Sequence, residues 1–164
     1  MRKDSKSLDY VLRWVDSSDQ TYKLWALWSL GLLANRGVEP DRVVQSLATH
    51  LKDSDEESRR WAVEGLALTG VGEAIPLLLQ TMHDDPSPRV RERAACGVGE
   101  SGMFTPEQRR GAIPKLISYT DDPALDAQTH GWAFQALADI THQHLPKESA
   151  AWRSWYENQA ASGQ

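Results

Sequence analysis

Arg59-Arg60-Trp61-Ala62-Val63-Glu64-Gly65-Leu66-Ala67-Leu68-Thr69-Gly70 returns 32 residues later as Arg91-Glu92-Arg93-Ala94-Ala95-Cys96-Gly97-Val98-Gly99-Glu100-Ser101-Gly102. A helical stretch that recurs at that spacing marks a stack of small units, because one unit cannot bury its apolar face alone and its neighbour completes the core. The linker ahead of each copy recurs too. Asp53 and Asp85 each stand six residues before the arginine, in Asp53-Ser-Asp-Glu-Glu-Ser-Arg59 and Asp85-Pro-Ser-Pro-Arg-Val-Arg91. Before each linker lies a second amphipathic element: Val44, Leu47, Ala48 and Leu51 correspond to Ile75, Leu78, Leu79 and Met82, and again to Ile113, Leu116, Ile117 and Thr120. Spacing of i, i+3, i+4, i+7 puts each set on one helical face. The unit is therefore a helix pair.

Outer copies are legible around Trp25-Ala26-Leu27-Trp28-Ser29-Leu30 and Trp132-Ala133-Phe134-Gln135-Ala136-Leu137. Small residues recur inside the second helices, and Gly65 and Gly97 stand where glycine costs about 1 kcal/mol against alanine. Close approach of a neighbouring helix explains that cost. The expected helices run over about 8–15, 20–35, 41–52, 56–69, 72–83, 88–101, 106–119, 125–142 and 147–158, with prolines at several starts, where a missing N–H costs little. Residues 103–110 form an insertion that the neighbouring unit lacks. The fold class expected is all-α: a right-handed α-α superhelix of antiparallel helix pairs, about four repeats, forming one domain over residues 1–164. Its ends are atypical, with residues 146–158 as a C-terminal capping helix that buries Trp152 or Trp155 against the helix near 132–140.

These residues resemble the HEAT-repeat family, in the short bacterial form grouped with phycobilisome-lyase-type repeats. The resemblance rests on Asp85, Val90 and Arg91, on the variant at Asp53, Ser58 and Arg59, on the small-residue lines at Ala62-Gly65-Leu66, Ala94-Gly97-Val98 and Ala133-Ala136-Leu137, and on Ile75-Pro76-Leu77-Leu78 and Ile113-Pro114-Lys115-Leu116. It covers about residues 19–142. It implies that Asp53, Arg59, Asp85 and Arg91 form an internal structural ladder, and that the chain works as a binding scaffold. Relatives of this kind include chromophore lyases, and a separate HEAT-like group excises alkylated bases from DNA. Fold likeness alone does not choose among these.

Charge argues against the nucleic-acid option. The chain carries 18 basic and 23 acidic residues, a formal net charge of -5, whereas a nucleic-acid footprint needs a concentrated positive face. No apolar run is long enough for a membrane helix and the first residues lack a secretion signal, so a cytoplasmic location is expected. The single cysteine, Cys96, reads as a buried small hydrophobe. His50 and His83 fall at helix ends, and His142 and His144 with Asp139 lack the facing geometry of a metal shell. No cofactor, metal site or catalytic constellation is therefore expected.

Seven tryptophans stand out. Trp25 with Trp28 and Trp152 with Trp155 are placed to seal the two ends of the stack or to form an aromatic recognition surface, while Trp61, Arg93 and Trp132 occupy aligned positions that would form a stripe across adjacent helices, either a protein-binding surface or an intramolecular stack of guanidinium on rings. The primary expectation is a non-enzymatic, monomeric protein-interaction module. Its groove is expected to be lined by Arg60, Trp61, Glu64, Arg93, Glu100, Gln128, Gln135 and Asp139, with another protein or peptide as its partner. The alternative is a tetrapyrrole (bilin) lyase or a lyase subunit.

Overall fold

A computed structural model describes residues 5–161. Every regular element among them is helical: α1 (Ser5–Leu12), α2 (Gln20–Asn35), α3 (Pro40–His50), α4 (Glu56–Thr69), α5 (Ala74–Asp84), α6 (Pro88–Glu100), α7 (Pro106–Arg110), α8 (Ile113–Tyr119), α9 (Ala127–Thr141) and α10 (Ser149–Ala161). Helix pairs α1/α2, α3/α4, α5/α6 and α8/α9 stack in order, giving the α-α solenoid. The stretch expected as one helix over 106–119 is two. Thr105 caps α7 in a reciprocal box, its hydroxyl accepting from the Gln108 N–H at 3.2 Å while its own N–H donates to Gln108 Oε1 at 2.7 Å. The chain then turns at Gly111-Ala112 before Pro114 enters the first turn of α8.

The linkers end where their side chains can replace missing helix bonds. Asp19, Asp55, Ser87 and Asp126 accept from backbone N–H groups in the first turns of α2, α4, α6 and α9, satisfying donors that have no intrahelical partner. Asp53 and Asp85 sit two residues before the caps and receive the cap N–H, at 3.0 Å from Asp55 and 2.8 Å from Ser87. Gly70, at φ 66°, closes α4 in the left-handed region that glycine adopts without strain.

Second helices pack directly on one another, α2 on α4, α4 on α6 and α6 on α9, while the first helices α3, α5 and α8 fan apart. A stack whose one layer has the shorter repeat distance curves toward that layer, so the second helices line the inner face. Glycine makes the short distance possible. A Cβ on Gly65 would lie 2.5 Å from the Leu27 carbonyl oxygen and 2.8 Å from Leu47 Cδ2, and one on Gly99 would lie 3.1 Å from Ala136 Cα. One apolar core runs the length of the stack, from Leu8 through Leu27, Leu66, Leu78 and Leu116 to Trp152.

Both ends depart from expectation, the C-terminal one in that α10 packs mainly on α8 rather than on the stretch near 132–140. Trp152 is buried at 1% exposure, with its indole N–H donating to Pro146 O at 3.0 Å. Its helix packs mainly on α8, and Trp152 also borders a hollow with Phe134 and Ala138 of α9. Thr120 and Ser149 hydroxyls meet at 2.7 Å and Arg153 grips both oxygens of Asp121 at 2.6 Å. At the other end Trp25 remains 56% exposed, so it does not seal the stack. That work falls to Leu8 and Val15, buried in the core at 0% and 4% exposure, with α1 packed on α2. Cys96 is half-buried rather than buried; burial pushes its thiol pKa up, and the neighbouring Glu100 charge adds to the shift.

Candidate functional site

The ladder residues bind between units. Arg59 donates Nε and Nη2 to the two oxygens of Asp85, at 2.8 and 3.2 Å, and Nη1 to the Asp53 backbone carbonyl at 3.0 Å. Arg91 repeats this one unit on, reaching Asp126 Oδ2 at 2.6 Å, Thr129 Oγ1 at 3.1 Å and Asp85 O at 2.9 Å. In the first rung Lys23 stands in for arginine and pairs with Asp53. Each arginine therefore touches its own linker through a backbone carbonyl and the next linker through a side chain, while Lys23 makes only the carboxylate contact. A planar fork suits this double duty.

The inner face carries the other expected residues, in a different arrangement from a Trp-Arg-Trp stripe. Trp61 packs beside Trp25, with ring centroids 6.2 Å apart, and Trp25 meets Trp28 edge-on at 5.6 Å. Arg93 is drawn away from the rings into an ion pair with Glu64. Arg60 covers Trp61 instead, 5.5 Å from its centroid, while its Nη2 holds Glu57 at 2.8 Å. Farther along, Gln135 donates to Asp139 at 2.8 Å, and these two share a hollow of about 430 Å³ with Glu100 and Arg109. Gln128 is exposed in the first turn of α9. The structure thus gathers Arg60, Trp61, Glu64 and Arg93 at one end and Glu100, Gln135 and Asp139 at the other.

Sequence reasoning left Trp25 out of this surface. Its exposure continues through Tyr22, 55% exposed, to Trp14, whose ring lies 4.9 Å from that of Tyr22. The signal was present in the aligned positions Trp25 and Trp61, but terminal tryptophans also fit a capping role. The basic run is neutralised in place: Arg89 pairs with Glu56 and Glu57, Arg91 with Asp126 and Arg93 with Glu64. That leaves no concentrated cationic track on α6 for a phosphate backbone.

A second site was not read from the sequence at all. Between the fanned helices α5 and α8 lies a cleft of about 670 Å³, walled by Ile75, Pro76 and Leu79 and by the Tyr119 ring. At its rim His83 stands between two carboxylates, Nδ1 2.5 Å from Asp84 and Nε2 3.3 Å from Asp122, with its ring 5.0 Å from that of Tyr119. The Ala124 backbone N–H and the His83 hydrogen bond hold Asp122 below the usual carboxylate range, against the effect of desolvation. Burial, with help from the Asp84 and Asp122 charges, pushes Tyr119 up to about 12, and its hydroxyl donates to Leu79 O at 3.2 Å. Lys115 sets its ammonium 5.1 Å from the Tyr119 ring centroid. These groups come from two segments more than thirty residues apart, the end of α5 and α8 with the linker after it, which is why no spacing in the sequence announced them. Among the described residues no group of His, Cys, Asp and Glu is arranged to hold a metal ion.

Helix pairs, a linker aspartate in each unit and arginine rungs between units define a repeat scaffold, an architecture suited to protein–protein interaction. The family description "HEAT repeats" matches residues 44–138, more than half of the chain, and the chain belongs to that family. Among solved structures it is similar to an engineered protein, with a TM-score of 0.54 and 18% identity, over 82% of this chain and 62% of that one. It is also similar to the complex of CpcE and CpcF of phycocyanin lyase from Nostoc sp. PCC7120, with a TM-score of 0.50 and 20% identity, over 82% of this chain and 65% of that one. The chain therefore spans less than two thirds of either structure, and identities this low show a shared fold. Comparison with curated proteins gives no match. The likeness to a lyase complex corrects the expectation that the chain is not an enzyme: this helix stack occurs within catalytic assemblies. No helix among the described residues is long and apolar enough to cross a membrane.

Proposed function

We propose that the chain is a HEAT-repeat subunit of a lyase-type assembly, which holds a tetrapyrrole-carrying or tetrapyrrole-accepting protein on its inner face. The observation that carries the docking part is the exposed aromatic run of Trp14, Tyr22 and Trp25, extended by the half-buried Trp61 and by Arg60 over its ring. Tryptophan, tyrosine and arginine are the side chains that anchor protein interfaces, because they bury large area at small entropic cost. Support for the lyase part comes from the fold shared with the CpcE and CpcF complex and from the His83, Asp84 and Asp122 cluster, which sets titratable groups at the rim of an apolar cleft.

The test uses the tagged full chain and its Trp25→Ala, Trp61→Ala double variant to capture partners from a lysate, with the captured complexes then titrated with biliverdin. The expected result is a partner absorbing in the visible range or taking up biliverdin, recovered at least tenfold less well by the variant, as a loss of 1.4 kcal/mol or more at a hot spot implies. Equal recovery by both chains would remove the docking face. Absence of any tetrapyrrole signal in the captured complexes would remove the lyase-type assignment.

A further inference from the structure

Both ends of the stack carry two tryptophans one helical turn apart, and only one of these pairs is covered. Trp152 meets Trp155 edge-on with ring centroids 6.0 Å apart, much as Trp25 meets Trp28 at 5.6 Å. At the C-terminal end the chain lays its own Leu145-Pro146 segment beside the pair: the Trp152 indole N–H donates to the Pro146 carbonyl at 3.0 Å, and Leu145 packs against the core. The N-terminal pair stays open. Trp25 is 56% exposed, and its indole N–H makes no hydrogen bond among the described residues. From this contrast we infer that the aromatic face of Tyr10, Trp14, Tyr22 and Trp25 takes a proline-rich segment of the partner, held in the extended polyproline II form. The inference deepens the docking half of the proposed function and rests on it, supplying the chemistry of the segment that docks.

Hydrogen-bonding capacity and shape select that occupant. The rings run from Tyr10 to Trp14 at 6.4 Å and from Trp14 to Tyr22 at 4.9 Å, then over α2 to Trp25 and Trp61, 6.2 Å apart. They offer ring faces and, at Trp14 and Trp25, indole N–H groups that can only donate and have no acceptor among the described residues. A docked helix has its carbonyls engaged internally. An added strand needs a sheet edge, whereas every regular element among the described residues is helical. Polyproline II leaves its backbone carbonyls free to accept, and proline brings no N–H that would need an acceptor on this face. Its pyrrolidine rings pack on aromatic faces, and its backbone is ordered before binding, which lowers the entropic cost. Charge does not choose here: the turn between α1 and α2 carries Arg13 as well as Asp16 and Asp19, and Asp19 already accepts from the Thr21 and Tyr22 N–H groups. Area argues against a second copy of the chain. Four rings exposed at 37–59% leave on the order of 300–500 Å² of aromatic surface, about half of the roughly 800 Å² per partner in a stable dimer.

The experiment titrates the full chain with fluorescein-labelled decaproline, read by fluorescence anisotropy, beside a labelled glycine-serine decapeptide and a labelled, charge-balanced amphipathic helical peptide. Saturable 1:1 binding of decaproline is expected, about tenfold or more tighter than that of either control. Trp25→Phe keeps a ring and removes the N–H; it should weaken binding about fivefold, as loss of one neutral hydrogen bond implies. Trp25→Ala should weaken it about tenfold or more. The position is exposed, and circular dichroism checks that both variants keep their helix content. Unsaturable binding, a glycine-serine peptide bound equally well, tighter binding of the helical peptide, an unaffected Trp25→Phe, or dimerisation of the chain that Trp25→Ala abolishes in sedimentation would each overturn the inference. Partner capture from the lysate is read separately. Capture that depends on Trp25 and Trp61 while decaproline fails to bind would leave the docking face in place and remove its proline-rich occupant.

Discussion

Replacing Gly31 by alanine should destabilise the protein, although alanine is the better helix former. Gly31 lies on α2 where it crosses α4. An added Cβ would fall inside contact distance of the Gly65 carbonyl oxygen and 2.9 Å from Leu68 Cβ. Carbon atoms rest comfortably at about 3.5–4.0 Å, so the two helices must part by roughly 1 Å. The first obstacle is backbone and the second is the root of a side chain, and neither can swing aside. Helix propensity returns about 1 kcal/mol, but overpacking a tight contact costs about 1–3 kcal/mol or more, and separation also loosens Leu27, Leu30 and Leu66 along the same seam. The net expectation is a loss of about 1–2 kcal/mol, or roughly 2–8 °C in Tm for a chain of this size. Gly131 supplies the control. It also lies inside a helix, α9, but its added Cβ would meet nothing within 4 Å. Gly131→Ala should therefore gain about 0.5–1 kcal/mol from propensity alone. Urea unfolding of both variants, followed by far-UV circular dichroism, reads the difference. If Gly31→Ala matched or exceeded Gly131→Ala in stability, the close approach of α2 and α4 would be refuted.

Other outcomes follow from the same structure. Asp85→Ala should cost about 3–5 kcal/mol, since it strands the Arg59 guanidinium, a group only 11% exposed; a double-mutant cycle with Arg59→Ala should show strong coupling, and additivity would refute the rung. Stability should be flat from neutral pH down to about pH 4–5 and fall below it. Three linker carboxylates are held below the usual aspartate range: Asp53 is opposed by burial but drawn down by Lys23, Asp55 is held by Ser58, and Asp126 by the Thr129 N–H and hydroxyl. A depressed folded pKa gives stability present above the unfolded value, about 3.9, and lost as pH falls through the folded one. Asp126→Asn should make the acid slope shallower, as chemical unfolding at stepped pH would show. Trp152→Ala should cost about 3–5 kcal/mol, and removal of residues 146–164 should lower Tm and promote association through the uncovered end; unchanged melting and a clean monomer would make α10 a docking peptide instead of a cap.

The inner surface shows how far linear reasoning reached. Trp61, Arg93 and Trp132 were legible as one row because their repeat positions align, yet Trp132 packs partly buried against the core. Their partners were not legible. Arg93 finds Glu64 rather than the Trp61 ring because an unscreened carboxylate within reach outcompetes a ring face, and Arg60, on the preceding position, takes the ring. Trp25 looked like an end seal, yet Leu8 and Val15 close that end and leave its indole in water. The α5/α8 cleft had no linear trace: His83, Lys115, Tyr119 and Asp122 are ordinary helix-end and linker residues until two first helices bring them together.

The sequence by itself determined the helix pair, the stack and the site of its ladder. Apolar period, cap residues and small-residue positions are local properties repeated from unit to unit, and repetition leaves one way to bury them. Tertiary structure alone decided which side chains face one another between units. That choice depends on how far neighbouring helices stand apart: glycine draws the second helices together until only small groups fit, while the fanning of the first helices leaves a cleft between α5 and α8.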